Sequence, residues 1–179
     1  PGFAAKYLSF GAGYDQPLDL VHGGVGLMVW SDWQGGGTIG RTSADAVYSY
    51  HLQAGEEFFV DAGFQASWVQ KKVETSGLVL PDMIDPSGGS LLPTGEGLLD
   101  YSKSFADFSV GFMSYYRDFF GGISIHHITE PNESFSESLD VPLYRRYSLH
   151  AGMTFYSGGR KDFPTTLVFT PHVLIQKQH

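Results

Sequence analysis

Residues 58–68 read FFVDAGFQASW. Phe58, Val60, Ala62, Phe64, Ala66 and Trp68 occupy every second position, with Asp61, Gly63, Gln65 and Ser67 between them. A strand sends successive side chains to opposite faces, so this spacing makes one apolar and one polar face; a helix would scatter the same residues around its axis. The stretch predicts a β-strand with one greasy side.

The alternation recurs outward in both directions. Leu8, Phe10, Ala12 and Tyr14 oppose Ser9, Gly11 and Gly13, and Val25, Leu27 and Val29 oppose Gly24, Gly26 and Met28. Ala44, Ala46, Tyr48, Tyr50 and Leu52 oppose Ser43, Asp45, Ser49 and His51. Further on, Ala106, Phe108, Val110 and Phe112 share a face, as do Gly121, Ile123 and Ile125. Tyr147 to Phe155 alternates again, and Leu167, Phe169, Val173 and Ile175 share a face near the end. These runs predict about eight strands of roughly ten residues, the length a tilted strand needs to cross a bilayer.

The expected connections are medium (Asp15–Val21), long (Ser31–Arg41), short (Gln53–Glu57), very long (Thr75–Ser102), short (Arg117–Phe119), long (Thr129–Arg145) and medium (Ser157–Phe163). A soluble meander has no reason to alternate in this way, whereas an outer-membrane barrel has short periplasmic turns and long external loops. The pattern predicts an all-β fold, an antiparallel transmembrane β-barrel of the outer-membrane type. Its apolar side faces lipid and its Gly, Ser, Thr, His and Asp side faces the lumen. Tyr14, Trp30, Trp33, Tyr48, Tyr50, Trp68, Tyr115, Tyr116, Tyr144, Tyr147 and Tyr156 lie near strand ends and are expected to form the two aromatic girdles of such a barrel.

Composition agrees. The 179 residues suit one domain, and only 17% are charged against about 25% in ordinary domains. The net charge of −8 argues against a nucleic-acid partner. With no cysteine, disulfides, thiolate metal sites and cysteine nucleophiles are excluded. Mean hydropathy is −0.11, a value that alternating strands reach by averaging. Pro171 suits an edge or a bulge, because proline cannot donate to a ladder. With the polar end Gln176-Lys177-Gln178-His179, it leads us to expect residues 1–179 to be a single barrel domain lacking strands at both ends.

No set of residues announces catalysis. His126-His127 with Glu130 invites a metal reading, but adjacent strand residues point to opposite faces. Asp82 and Asp85, near Glu74 and Asp100, form an acidic loop without the ligand spacing of a calcium hand, and Pro81-Asp82 and Asp85-Pro86 are turn dipeptides. Gly35-Gly36-Gly37 and Gly88-Gly89 lack the Lys-Ser or Lys-Thr of a phosphate loop, and no Gly-x-Ser-x-Gly elbow occurs. No catalytic, cofactor or metal residue is assigned, and the chain is not expected to be an enzyme.

Several segments, in order, carry a resemblance: SFGAGYDQ (Ser9–Gln16), HGGVG (His22–Gly26), PDMIDP (Pro81–Pro86), LLPTGE (Leu91–Glu96), DFSVG (Asp107–Gly111), HHITEPNES (His126–Ser134) and LDVPLYRRYSLHAG (Leu139–Gly152). Together the chain resembles the PorP/SprF family of type IX secretion outer-membrane proteins of the Bacteroidota. The resemblance implies a longer protein of the cell outer membrane that works with the periplasmic ring and translocon proteins of that system. In gliding organisms it implies help in exporting or anchoring surface adhesins, with lipids and lipopolysaccharide around the barrel. A simple outer-membrane pore and a barrel lipid hydrolase are the alternative functions. If a ring docks on the periplasmic turns, the charged residues available are Asp15, Glu56, Glu57, Arg160, Lys161 and Asp162, of which Glu56, Glu57, Arg160 and Lys161 are the candidate contacts.

Overall fold

The computed structural model describes residues 7–75, 81–84, 100–136, 138–157 and 167–178. Its main body is an antiparallel sheet of eight strands: β1 (Leu8–Leu18), β2 (Gly23–Gln34), β3 (Ile39–Gln53), β4 (Phe58–Val73), β5 (Tyr101–Tyr116), β6 (Phe119–His126), β7 (Arg146–Met153) and β10 (His172–Gln178). They lie side by side in chain order, with a small β8 (Phe155–Ser157) and β9 (Leu167–Phe169) hairpin between β7 and β10. The described sheet is open, its edges being β1 and β10.

Period two sets the two faces across the whole sheet. Phe64 lies opposite Tyr48 on β3 and Val110 on β5; Val110 in turn lies opposite Ile125, and Ile125 opposite Tyr147. The interleaved Gly63 faces Ser49 and Gly111, which faces Ser124, which faces Ser148. The polar face is the concave one. A hollow of about 1210 Å³ runs along it over β1–β4, from Gly13 to Asp61, and a smaller one of about 240 Å³ reaches from Ser49 across to His150.

Among the described residues no second layer covers the apolar face. Phe64 is 45% exposed and Trp68 57%, and among the described residues only Val69 and Phe105, both on the concave side, are buried hydrophobics. A sheet of a water-soluble domain would bury such a face against another layer. A continuous bare apolar surface of this kind marks contact with lipid or with another protein.

The bare face also has the dimensions of a bilayer. On β4 it runs from Phe58 to Trp68 and then turns polar at Gln70 and Lys72. Those ten residue steps span roughly 33 Å along the strand, or about 25 Å in height at a tilt near 40°, the apolar height of a transmembrane barrel. Beyond it, on the same face, Ser31 and Thr42 hydroxyls are 2.9 Å apart, and Trp33 Nε1 donates to Ser31 Oγ at 2.9 Å. This polar rim, with the Trp33 ring above Gly40, ends the apolar band.

The band does not follow the hydrogen-bonded rows; it climbs across them. On β1 it occupies Leu8 to Tyr14, whereas on β7 it occupies Tyr147 to Met153. Tracing the registers from strand to strand, these two stretches are offset by eight residues over six strand spacings. That is roughly 26 Å of slip across about 29 Å of sheet, a slope of about 40°. Strands of membrane barrels tilt by this much from the barrel axis.

Several sequence expectations change. The long connection over Ser31–Arg41 is instead a tight turn, because β2 continues to Gln34 and β3 starts at Ile39. Gly35, Gly36 and Gly37 all take positive φ (62°, 72° and 107°), a conformation that glycine reaches without the Cβ penalty, and this closes the turn in four residues. The Asp15–Val21 connection likewise shrinks, because β1 runs on through Pro17 to Leu18. Trp30 and Tyr115 fall on the concave face, opposite the girdle expected for them: Trp30 faces Ser43 and Tyr115 faces Phe59. Of the expected girdle residues on the apolar face, Trp33, Trp68 and Tyr147 lie toward one end and Tyr14, Tyr50 and Tyr116 toward the other, while Tyr48, opposite Phe64, lies near the middle of the band rather than in a girdle. The last two strands are each broken. Thr154 interrupts one and Thr170-Pro171 the other, and the Pro171 carbonyl accepts from Met153 N at 3.3 Å.

Candidate functional site

Two regions carry the polar chemistry: the concave wall and the turns at either end. Along the wall, Asp45 is buried and accepts from Ser43 Oγ and Gln65 Nε2, each at 3.2 Å, while Gln65 also donates to Ser67 Oγ at 3.1 Å. Lower down, His51 Nδ1 lies 2.5 Å from Asp61 Oδ1, and the imidazole stacks on Phe59 with 5.4 Å between ring centres. These are cross-strand and next-nearest pairs on one face, the contacts that a strand's period of two makes available. The wall bears more charge than its sequence suggested. Lys71 and Lys103 lie on it because β4 and β5 run past the apolar band, Arg146 at the start of β7 adds a third cation, and Asp107 lies there as its parity predicts.

The connection from β6 to β7, residues 127–145, bends onto this concave face. His127, at φ 59°, places Nδ1 2.7 Å from the buried Asp107 Oδ2, and Glu133 Oε2 meets Lys71 Nζ at 2.7 Å. His126 turns elsewhere, with Nε2 3.3 Å from Ser124 Oγ, and Glu130 pairs with Arg145 at 3.7 Å. His126, His127 and Glu130 therefore serve three different partners. Asp82 sits in a short 3-10 turn, Pro81–Met83, and Asp100 Oδ1 accepts from Thr75 N at 2.8 Å; Asp85 lies outside the described residues.

Three short turns gather at one end of the sheet, whereas the tight Gly35–Thr38 turn, Glu74, Asp100 and the 127–145 connection lie at the other. The three are Asp19–His22, Ala54–Glu57 and Arg117-Asp118. Glu56 is exposed, but Glu57 is engaged: its carboxylate accepts from Arg117 Nε, and Arg117 N donates to its carbonyl at 3.4 Å. Arg117 sits at φ 54°, first of a two-residue hairpin turn, and its guanidinium lies 5.3 Å over the Tyr116 ring. The Glu57 hydrogen bond, then the charges of Glu57 and Tyr116, raise the Arg117 pKa further, so it stays a cation. Two neighbouring turns are thus tied together, and Glu56, Asp19 and Asp118 stand exposed beside them. Arg160 and Lys161, the other two candidate contacts, lie outside the described residues, as does Asp162. Asp15 faces the hollow rather than the turn end.

Arg117, Lys71 and Glu133 escaped the sequence reading. Each acts through a residue at least sixty positions away, Glu57 for Arg117 and a Lys71–Glu133 pair for the other two. No local spacing signals such a contact.

Comparison with known proteins agrees with the bare belt. No curated protein and no solved structure matches the chain. The family described as type IX secretion system membrane protein PorP/SprF matches residues 1–179. The chain belongs to the PorP/SprF family of type IX secretion system membrane proteins.

Proposed function

We propose that this sheet is part of the wall of an outer-membrane β-barrel that links the periplasmic ring of the type IX system to the export or anchoring of surface proteins. Its role is structural and interactive rather than enzymatic, and in gliding Bacteroidota the cargo is a surface adhesin. The observation that carries the reading is the apolar belt, bare, about 25 Å high and inclined about 40° to the hydrogen-bonded rows. In hydrocarbon no strand edge remains unpaired, so β1 and β10 need partners there, supplied by each other or by further strands. Lipids and lipopolysaccharide then surround the apolar face.

The Asp19–His22, Ala54–Glu57 and Arg117-Asp118 turns face the periplasm, the side on which barrels of this type keep their short turns, and the tight Gly35–Thr38 turn lies at the external end. With Glu56, Asp19 and Asp118 exposed and Arg117 neutralising Glu57, they present an acidic edge to a basic partner surface on the ring, and contact there is salt-sensitive. Translocon proteins are the other partners.

Two experiments test this. Cysteine introduced at Asp140, in the 127–145 connection, should react with an impermeant maleimide on intact cells, and cysteine at Ala54 should not; the reverse pattern inverts the topology. Neutral replacement of Glu56, Glu57, Arg160 and Lys161 together should leave insertion intact while recovery of ring proteins in a pull-down from native membranes falls several-fold. Unchanged recovery with intact insertion removes these turns as the docking surface.

A further inference from the structure

The 127–145 connection is a long excursion that does not leave the sheet. From its base at His127 outward it is fastened to the concave face at three heights. His127 binds Asp107, Glu133 binds Lys71, and the Phe135 ring lies 6.1 Å from that of Tyr101. The buried cross-strand pair Val69 and Phe105 lies between these anchor points. Exposed loops have no need to bury a lysine–glutamate pair, and here the two side chains are only 24% and 16% exposed.

The segment is also a folded unit. Asn132 Oδ1 accepts from Ser134 N at 2.9 Å and Val141 N at 3.1 Å, and its Nδ2 donates to Leu139 O at 3.1 Å. Glu133 N reaches Val141 O at 3.0 Å, and Leu143 N reaches Pro131 O at 2.9 Å. At its base Arg145 Nε donates to Ile128 O at 3.0 Å. Internal bonds therefore fix its shape, whereas its ties to the wall among the described residues include two ion pairs, one ring contact, a backbone bond from Ile128 N to Phe108 O at 3.0 Å and a bond from Gln178 Nε2 on β10 to Tyr144 O at 3.1 Å. One of those ties is incomplete. Glu133 Oε1 is buried with no hydrogen-bond partner among the described residues, and such a group weakens the closed arrangement.

We infer that residues 127–145 are a built-in plug that closes the external mouth of the lumen and can swing away as a unit when the Lys71–Glu133 and His127–Asp107 pairs part. The inference rests on the barrel reading above. A rigid body held by a few ionic contacts has two discrete positions, which is what a gate requires. It also gives a reason for a polar wall that carries Lys71 and Asp107 at this level: they are the latch for the plug rather than the ring of charges of a selective pore.

The test uses the full-length protein reconstituted in planar bilayers, wild type against a Glu133→Gln/His127→Gln pair. Folding is checked first by heat-modifiable mobility on a gel. Wild type should pass little current, and the double variant should raise mean conductance at least tenfold. A cysteine at Val69 should label slowly in the wild-type background and at least tenfold faster in the double variant. Should the double variant not fold, a variant with residues 129–143 replaced by a short Gly-Ser linker makes the same prediction. Folded variants with unchanged conductance and labelling, or a wild type already conducting as freely as they do, overturn the plug. A protein with no heat-modifiable form fails the barrel reading itself, and the gel records that separately, before any current is measured.

Discussion

Phe64→Arg should all but abolish the membrane-inserted form of the protein, while Gln65→Arg should leave most of it. Phe64 lies near the middle of the apolar run of β4, is exposed, and stacks on Phe108 at 6.0 Å. A guanidinium there sits at the bilayer midplane, where an arginine costs about 2–4 kcal/mol. Gln65 is the next residue and points into the concave face, where it donates to Asp45. An arginine in its place keeps a carboxylate partner. The ratio of heat-modifiable to unfolded protein in outer-membrane fractions measures both, and equal losses from the two substitutions would remove the assignment of the faces.

Gly122→Val should prevent assembly, whereas Gly63→Ala should be tolerated, although both glycines line the concave face. A Cβ on Gly122 would come within 2.7 Å of the Phe112 carbonyl oxygen and 2.8 Å of Met113 Sδ. The first of these is backbone, so β5 and β6 would have to move apart where they pair. Overpacking of this kind typically costs about 1–3 kcal/mol even where side chains can give way. A Cβ on Gly63 meets nothing closer than 3.9 Å, which is ordinary contact. Urea titration of refolded protein in detergent micelles reads the difference, and comparable midpoints for both variants would contradict the close packing of β5 on β6.

Much of this sheet is legible in the sequence because a bilayer imposes a simple rule. Wherever a strand crosses lipid, alternate residues must be apolar, so Phe58 to Trp68 or Tyr147 to Met153 can be placed by counting in twos. The rule fails where lipid ends. Asp32, Trp33 and Gln34 continue β2 into water and read as loop, although Asp32 pairs with Arg41 in the ladder. The same water-exposed extension adds Lys71 and Lys103 to the concave wall. Trp30 and Tyr115 were misplaced for another reason: nearness to a strand end outweighed parity, and parity decides the face. Contacts between distant segments were not legible at all. The inward course of 127–145 depends on His127 meeting Asp107 and Glu133 meeting Lys71, and neither partner is marked by its neighbours in the chain. At the Ala54–Glu57 turn, Glu56 and Glu57 read as equivalent charges, yet Arg117 takes up Glu57 and leaves Glu56 exposed.

The central claim is that this face of the sheet meets lipid along an inclined belt. A chain without cysteine allows nitroxide labels to be placed one at a time along β1, β4 and β7 of the reconstituted protein. Collision rates with oxygen, which concentrates in hydrocarbon, should alternate with period two on all three strands. They should peak at Phe10 or Ala12 on β1, at Ala62 or Phe64 on β4 and at Leu149 or Ala151 on β7, and fall away at Gln70. Peaks that follow the hydrogen-bonded rows instead of climbing across them, or rates without alternation, would contradict a tilted barrel wall.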